Sequence, residues 1–202
     1  MQNSSETAGN NRRRECGEVT DFSQRAGQFF RQAERQYQPP FDTQYEVECC
    51  GKVFPMVTGY EKRDPRYLFG IKSSISRDSI CGELCFFDCC ENLTEDAFTQ
   101  YLELFRKIQD ERVPSNDPSH DYTLISFVLC TDQVDRRLQR KIKRSEDYRQ
   151  YKNDRYGWSA LRICVVDLST NQYYCNAMGK GILECLTRDA TSSQEKKRFW
   201  PF

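Results

Sequence analysis

The residues with the most chemistry in them are the cysteines. The chain carries eleven among 202 residues, and Cys81, Cys85, Cys89 and Cys90 fall within one ten-residue stretch, with Cys49-Cys50 upstream. Thiolates at such density would suit a tetrahedral zinc site or a redox centre. Zinc knuckles, however, space their ligands as Cys-x-x-Cys, a form absent here. The metal reading therefore rests on Cys81, Cys85, Cys89 and Cys49 meeting in space, with zinc as the cofactor; otherwise no cofactor is expected. An odd number excludes complete internal pairing, and thiols inside strand-like runs act as small buried hydrophobes, so reduced cysteines are the expectation.

His120 is the only histidine. A Cys–His hydrolase needs an acidified thiol beside the imidazole; Pro118-Ser-His120-Asp121 has the composition of a turn, so a capping or turn role is expected. No catalytic residue is nominated, and Walker, dinucleotide-binding, zincin and nucleophile-elbow signatures are absent.

The segment 136–155 is base-rich. Arg136, Arg137, Arg140, Lys141 and Arg144 recur on a helical pattern, with Tyr148, Tyr151 and Tyr156 interleaved downstream. Cations with aromatics would track a nucleic-acid backbone and stack bases; the plainer reading is a solvated helix face answering the acid-rich stretch 83–103. A last candidate is Arg162, an arginine inside an apolar strand, which must be exposed or paired. With Glu83 and Lys72 it defines the place where a cleft would be sought.

These residues need elements to position them. Apolar positions Phe22, Ala26, Phe29, Phe30, Ala33 and Tyr37 predict a helix over 20–37, stopped by Pro39-Pro40. Strands follow over 45–50, 53–61 and 66–72, the last two as a hairpin about the turn-like Lys62-Arg63-Asp64-Pro65. Residues 83–90 form another strand. Thr94, Glu95 and Asp96 start a helix whose face is Ala97, Phe98, Tyr101, Leu102, Phe105 and Ile108. The run 121–130 is nearly continuous in apolar residues, which marks a strand buried on both faces. A helix from 133 to 145, extending toward 151, precedes strands at 160–168 and 173–177 and a helix at 179–186.

The order α-β-β-β-(β)-α-β-α-β-β-α gives an α+β fold, a mixed, largely antiparallel sheet with helices packed on it. It divides as a polar tail over 1–18, one domain over 19–187 and a second tail over 188–202. Net charge is zero, so no global attraction to nucleic acid or membrane is expected. No apolar run reaches the roughly 20 residues of a membrane span, and residues 1–15 lack a signal-like apolar segment, so a cytoplasmic protein is expected.

The order helix–three strands–helix–strand is similar to the PD-(D/E)XK nuclease core. That family needs acid-x-Lys on its third strand; this chain has Glu83-Leu84-Cys85, so only a degenerate, nucleic-acid-binding version is implied. The stretch Tyr156-Gly-Trp158-Ser-Ala-Leu-Arg162, the strand ending Val166-Asp167-Leu168, and Asn176-Ala-Met-Gly179-Lys180 resemble the C-terminal part of a bacterial family known as a domain of unknown function. The resemblance covers 45–186 in element order and 156–180 in motif, and it implies no activity. By elimination, the expected role is non-enzymatic, regulatory or through an unidentified protein partner, with nucleic acid as the alternative partner.

Overall fold

The computed structural model describes residues 21–67, 75–153 and 155–188, with side chains for all but 65–67 and 75–78. Readings that fall on 1–18, on Lys72 and on 189–202 lie outside the described residues.

Helix α1 (Asp21–Glu34) leads into a meander of β1 (Asp42–Cys49), β2 (Lys52–Tyr67) and β3 (Ile75–Cys89). Cys50 and Gly51 both have positive φ, 52° and 80°, the backbone of a tight hairpin turn between β1 and β2. Two crossovers follow, β3–α2 (Glu95–Arg112)–β4 (His120–Thr131) and β4–α3 (Arg136–Arg144)–β6 (Trp158–Asp167), with the short β5 (Tyr148–Gln150) inside the second. β7 (Gln172–Cys175) and α4 (Lys180–Leu186) end the described chain. The strands form one seven-stranded sheet in the order β1-β2-β3-β4-β6-β5, with β7 on β6. The β3–β4 and β4–β6 pairs are parallel and the others antiparallel.

The fold class is as the sequence implies, α+β with a mixed sheet. Two details differ. Residues 62–65 are not a turn: β2 runs through them, with Lys62 opposite Cys81 and Asp64 opposite Ser79. The hairpin read between 53–61 and 66–72 is not formed: Arg66 and Tyr67 continue β2, whose antiparallel partner is the longer β3 that takes in most of the strand read at 83–90, so three described strands precede α2. An exposed two-stranded ribbon can carry Lys-Arg-Asp because these side chains project into water. The expected helical extension to 151 is instead β5, a three-residue strand set by its register against β6.

Both faces of the sheet are covered. α2 and α3 bring Phe98, Phe105, Ile108, Leu138 and Ile142 onto Ile125, Phe127, Leu129, Leu161 and Ile163. α1 and α4 bring Phe29, Ala33, Ile182 and Leu186 onto Phe87, Val128, Cys164 and Val166. Continuous burial from Ser159 to Asp167 follows from this, and explains the unbroken apolar runs of β4 and β6.

The edges are irregular. β1 is exposed over most of its length, and Glu46 at its centre has φ 51°. At the opposite side β6 is flanked first by β5 (to Ala160) and then by β7 (from Cys164). In the interval between them the Asn176 side chain takes over: its Oδ1 accepts from the Ile163 amide at 3.0 Å, and its Nδ2 donates to the Leu161 and Ser145 carbonyls at 3.0 and 2.9 Å.

Gly157 enters β6 with φ 71°, and a Cβ there would lie 2.2 Å from the Asp121 carbonyl oxygen. Gly157→Ala is therefore expected to destabilise the protein by about 2 kcal/mol or more, since both backbone strain and a clash with rigid backbone must be relieved. An unchanged thermal midpoint would show that this loop gives way freely.

Candidate functional site

The structure does not bring Cys81, Cys85, Cys89 and Cys49 together. Cys81, Cys85 and Cys89 sit four residues apart along β3, which separates neighbours by about 13 Å at the rise of a strand. Cys85 and Cys89 pack on the α1/α4 side, whereas Cys49 belongs to the core on the opposite face. Among the described residues no three of His, Cys, Asp and Glu form a group fit to hold a metal ion. The ten described cysteines are all free thiols. Burial pushes the Cys85 and Cys130 thiols well up, which leaves them poor nucleophiles.

His120 is a buried joint. Its Nδ1 lies 2.7 Å from the Tyr156 carbonyl and its Nε2 2.9 Å from Thr123 Oγ1. The carbonyl can only accept, so Nδ1 carries a proton and donates to it. The ring is 1 % exposed and neither nitrogen meets a cysteine. It ties the start of β4 to the loop before β6, in keeping with its turn-like surroundings.

Arg162 and Glu83 do come together. Arg162 Nη1 is 2.7 Å from Glu83 Oε1, with side chains only 10 % and 11 % exposed. They reach each other across β4 on the α1/α4 face, where Cys85, Ser126 and Arg162 share one row of the sheet. Tyr37 of the α1 end contacts Cys85 Sγ at 3.5 Å, and its hydroxyl is pushed up mainly by burial. Both side chains of the pair lie largely in the interior, and Glu83 also borders a concavity between β1–β3 and the end of α2.

The base-rich helix is the most unusual surface. Asp135 caps α3 by accepting from the Arg137 and Leu138 amides at 2.8 and 2.7 Å. Leu138 and Ile142 anchor it. Lys141 turns inward, where its Nζ donates to the Glu95 carbonyl at 2.9 Å and to Thr99 Oγ1 at 2.6 Å. That contact joins α3 to the first turn of α2. Arg136, Arg137, Arg140, Lys143 and Arg144 stay exposed, and among the described residues none of them has an acidic partner. Among the described residues no ion pair joins them to the acids of α2; the cations that reach between these segments are Arg106, to Asp147, and Arg149, to Asp110.

Between α2 and α3 runs a concavity of about 610 Å³ lined by Arg137, Arg140, Lys141 and Arg144, with Leu102, Glu95 and Glu146. The tyrosines read as interleaved with these cations lie elsewhere. Tyr151 is buried with its hydroxyl 2.7 Å from Ser159 Oγ, and Tyr148 packs on Trp158. Of the three tyrosines, Tyr148 alone is exposed, and none lines this concavity.

A second concavity, of about 550 Å³, opens on the sheet face between β1–β3 and the end of α2, over Val57, Leu84 and Phe86. Sequence reasoning missed it. Its signal was Gly59 and Gly82, glycines within strands that leave bare backbone on that face.

Comparison with known proteins returns one result. A family model described as a domain of unknown function (DUF8052) matches residues 26–188, in keeping with the resemblance read from 156–180. No curated protein and no solved structure gives a match.

Proposed function

We infer that this chain, which belongs to that family, is a non-catalytic binding module that receives an acidic segment of a protein partner in the concavity between α2 and α3. One observation carries the reading: five exposed cations on a nine-residue helix have no acidic partner among the described residues. A solvated face normally mixes signs, and like charges so close repel one another at a cost that an anionic partner would relieve. Arginine supplies four of the five, and its planar fork suits carboxylates bidentately. Leu102 offers an apolar contact inside the same concavity. Nucleic acid is the second reading, since the same fork fits phosphate; against it stands the separation of the cations from the exposed aromatics.

The probes are an oligo-glutamate peptide and duplex DNA of matched charge. Oligo-glutamate is expected to bind at low salt and to be released near 1 M salt, where the screening length is about 3 Å. The triple variant Arg137→Glu, Arg140→Glu, Arg144→Glu is expected to weaken binding about tenfold or more with an unchanged unfolding midpoint, because each exposed pair is worth up to about 1 kcal/mol. Binding of DNA but not of oligo-glutamate would transfer the function to the second reading. Binding of neither at low salt sinks both.

A further inference from the structure

We propose that Cys164 and Cys175 form a reversible disulfide modification site, closed by thiol–disulfide exchange with a low-molecular-weight disulfide of the glutathione type. The two residues stand directly opposite each other on the antiparallel strands β6 and β7. The neighbouring opposed pair is Ile163 and Asn176, where the Asn176 amide donates to the Ile163 carbonyl at 3.3 Å. Hydrogen-bonded and non-hydrogen-bonded pairs alternate along an antiparallel ladder, so Cys164 and Cys175 form a non-hydrogen-bonded pair. In such pairs the Cα atoms approach to about 4.5 Å, which lies within the span a disulfide bridges.

Both side chains point to the α1/α4 face, where they pack in the same core, near enough for each thiol to shift the other. No backbone movement between strands is needed to join them.

The pair is also asymmetric in the way exchange requires. Cys164 is fully buried and Cys175 half-buried. The hydrogen bond from Cys164 holds the Cys175 thiol below its ordinary range, while that bond and burial push Cys164 well up. Cys175 is therefore the attacking thiolate and Cys164 the resolving thiol. In the first step Cys175 sulfur bonds to one sulfur of the small disulfide, whose S–S bond breaks and releases one thiolate. In the second, Cys164 gives up its proton and attacks the Cys175 sulfur, and the second small thiolate leaves. Two protein thiols are oxidised to one disulfide, and one small disulfide is reduced to two thiols.

The sequence makes the test direct. Trypsin cuts after Arg162 and Lys180, and the peptide 163–180 contains Cys164 and Cys175 and no other cysteine. Native protein would be incubated with oxidised glutathione, alkylated, denatured and digested. The peptide is expected to escape alkylation and to be lighter by two hydrogens, and a dithiol reductant is expected to restore both alkylation sites. In Cys164→Ala, which keeps the position apolar, Cys175 is expected to retain one glutathione, and in Cys175→Ser the peptide is expected to carry none. A wild-type peptide that holds glutathione stably on Cys175 would overturn the proposal. So would a peptide that stays reduced while Cys89, Cys90 or Cys185 reacts. Matching circular dichroism of the variants keeps the comparison between folded proteins.

Discussion

In urea titrations, Arg162→Ala is expected to lose about 3–5 kcal/mol of stability. The size comes from what remains behind. Glu83 is 11 % exposed in its side chain and its 2.7 Å partner is gone, so the carboxylate must stay charged without a counter-ion in the interior or draw water into the core beneath α4. The row that holds Arg162 offers it little help, for its neighbours are Ser126 and Cys85. The double variant Glu83→Leu, Arg162→Met is expected to recover most of the loss, because replacing both charges removes the desolvation cost along with the attraction. A single-variant cost under about 1 kcal/mol, the range of exposed pairs, would mean that water reaches the pair and that it contributes no more than a surface contact.

A comparable effect is expected at Asn176. Its amide serves four backbone groups: Ile163 and Gly179 N–H donate to Oδ1, at 3.0 and 2.8 Å, and the Leu161 and Ser145 carbonyls accept from Nδ2. The residue is 1 % exposed. Asn176→Ala strands the Ile163 N–H and the Leu161 and Ser145 carbonyls, while Gly179 N–H keeps a bond to the Asn176 backbone carbonyl at 3.1 Å; at about 1–3 kcal/mol for each buried unsatisfied group the loss is expected to reach about 4 kcal/mol or more. Asn176→Asp keeps the acceptors but sets a negative charge against two carbonyls, so it is expected to rescue little. Amide exchange locates the effect: Ile163, whose N–H bonds to the lost Oδ1, is expected to lose protection first. Equal loss across the sheet would show that the side chain does not act locally. Gly179 belongs to the same device, since a Cβ there would stand 2.1 Å from the Ile163 carbonyl oxygen.

These two predictions bear on how the sequence is read. The strands β4 and β6 and the helix α2 announce themselves through apolar pattern and caps, because packing against layers on both sides demands it. Arg162 is legible for the same reason: a charge amid Leu161, Ile163 and Cys164 has to be paired, and Glu83 proves to be its partner. The motif Asn176-x-x-Gly179 was visible as a pattern, yet its work was not, since the gap that Asn176 fills arises only after β5 and β7 have each taken part of one edge. β5 itself is too short to show a period. Residues 62–65 mislead because turn composition and an exposed ribbon both favour charge. The cysteines mislead differently: closeness in sequence along a strand means distance in space, while Cys164 and Cys175 are brought together by a turn. In the same way the tyrosines of 148–156 alternate with cations along the chain but not on the surface, and only the fold shows that Lys141 is committed to α2 while its neighbours are free.

The two margins of the sheet have a bearing on how this protein behaves at high concentration. A sheet grows when a straight, open strand accepts another chain's backbone. Here one margin, β1, is bent by the left-handed Glu46 and studded with Asp42, Glu46 and Glu48. The other is shared by strands of three and four residues that meet around a side chain instead of a continuous backbone. Neither offers a long, straight and uncharged backbone to copy. For a chain whose core strands are among the most apolar of its segments, such margins are expected to disfavour edge-to-edge growth into fibres, and opening the β5–β7 gap by Asn176→Ala is expected to raise that tendency at high concentration.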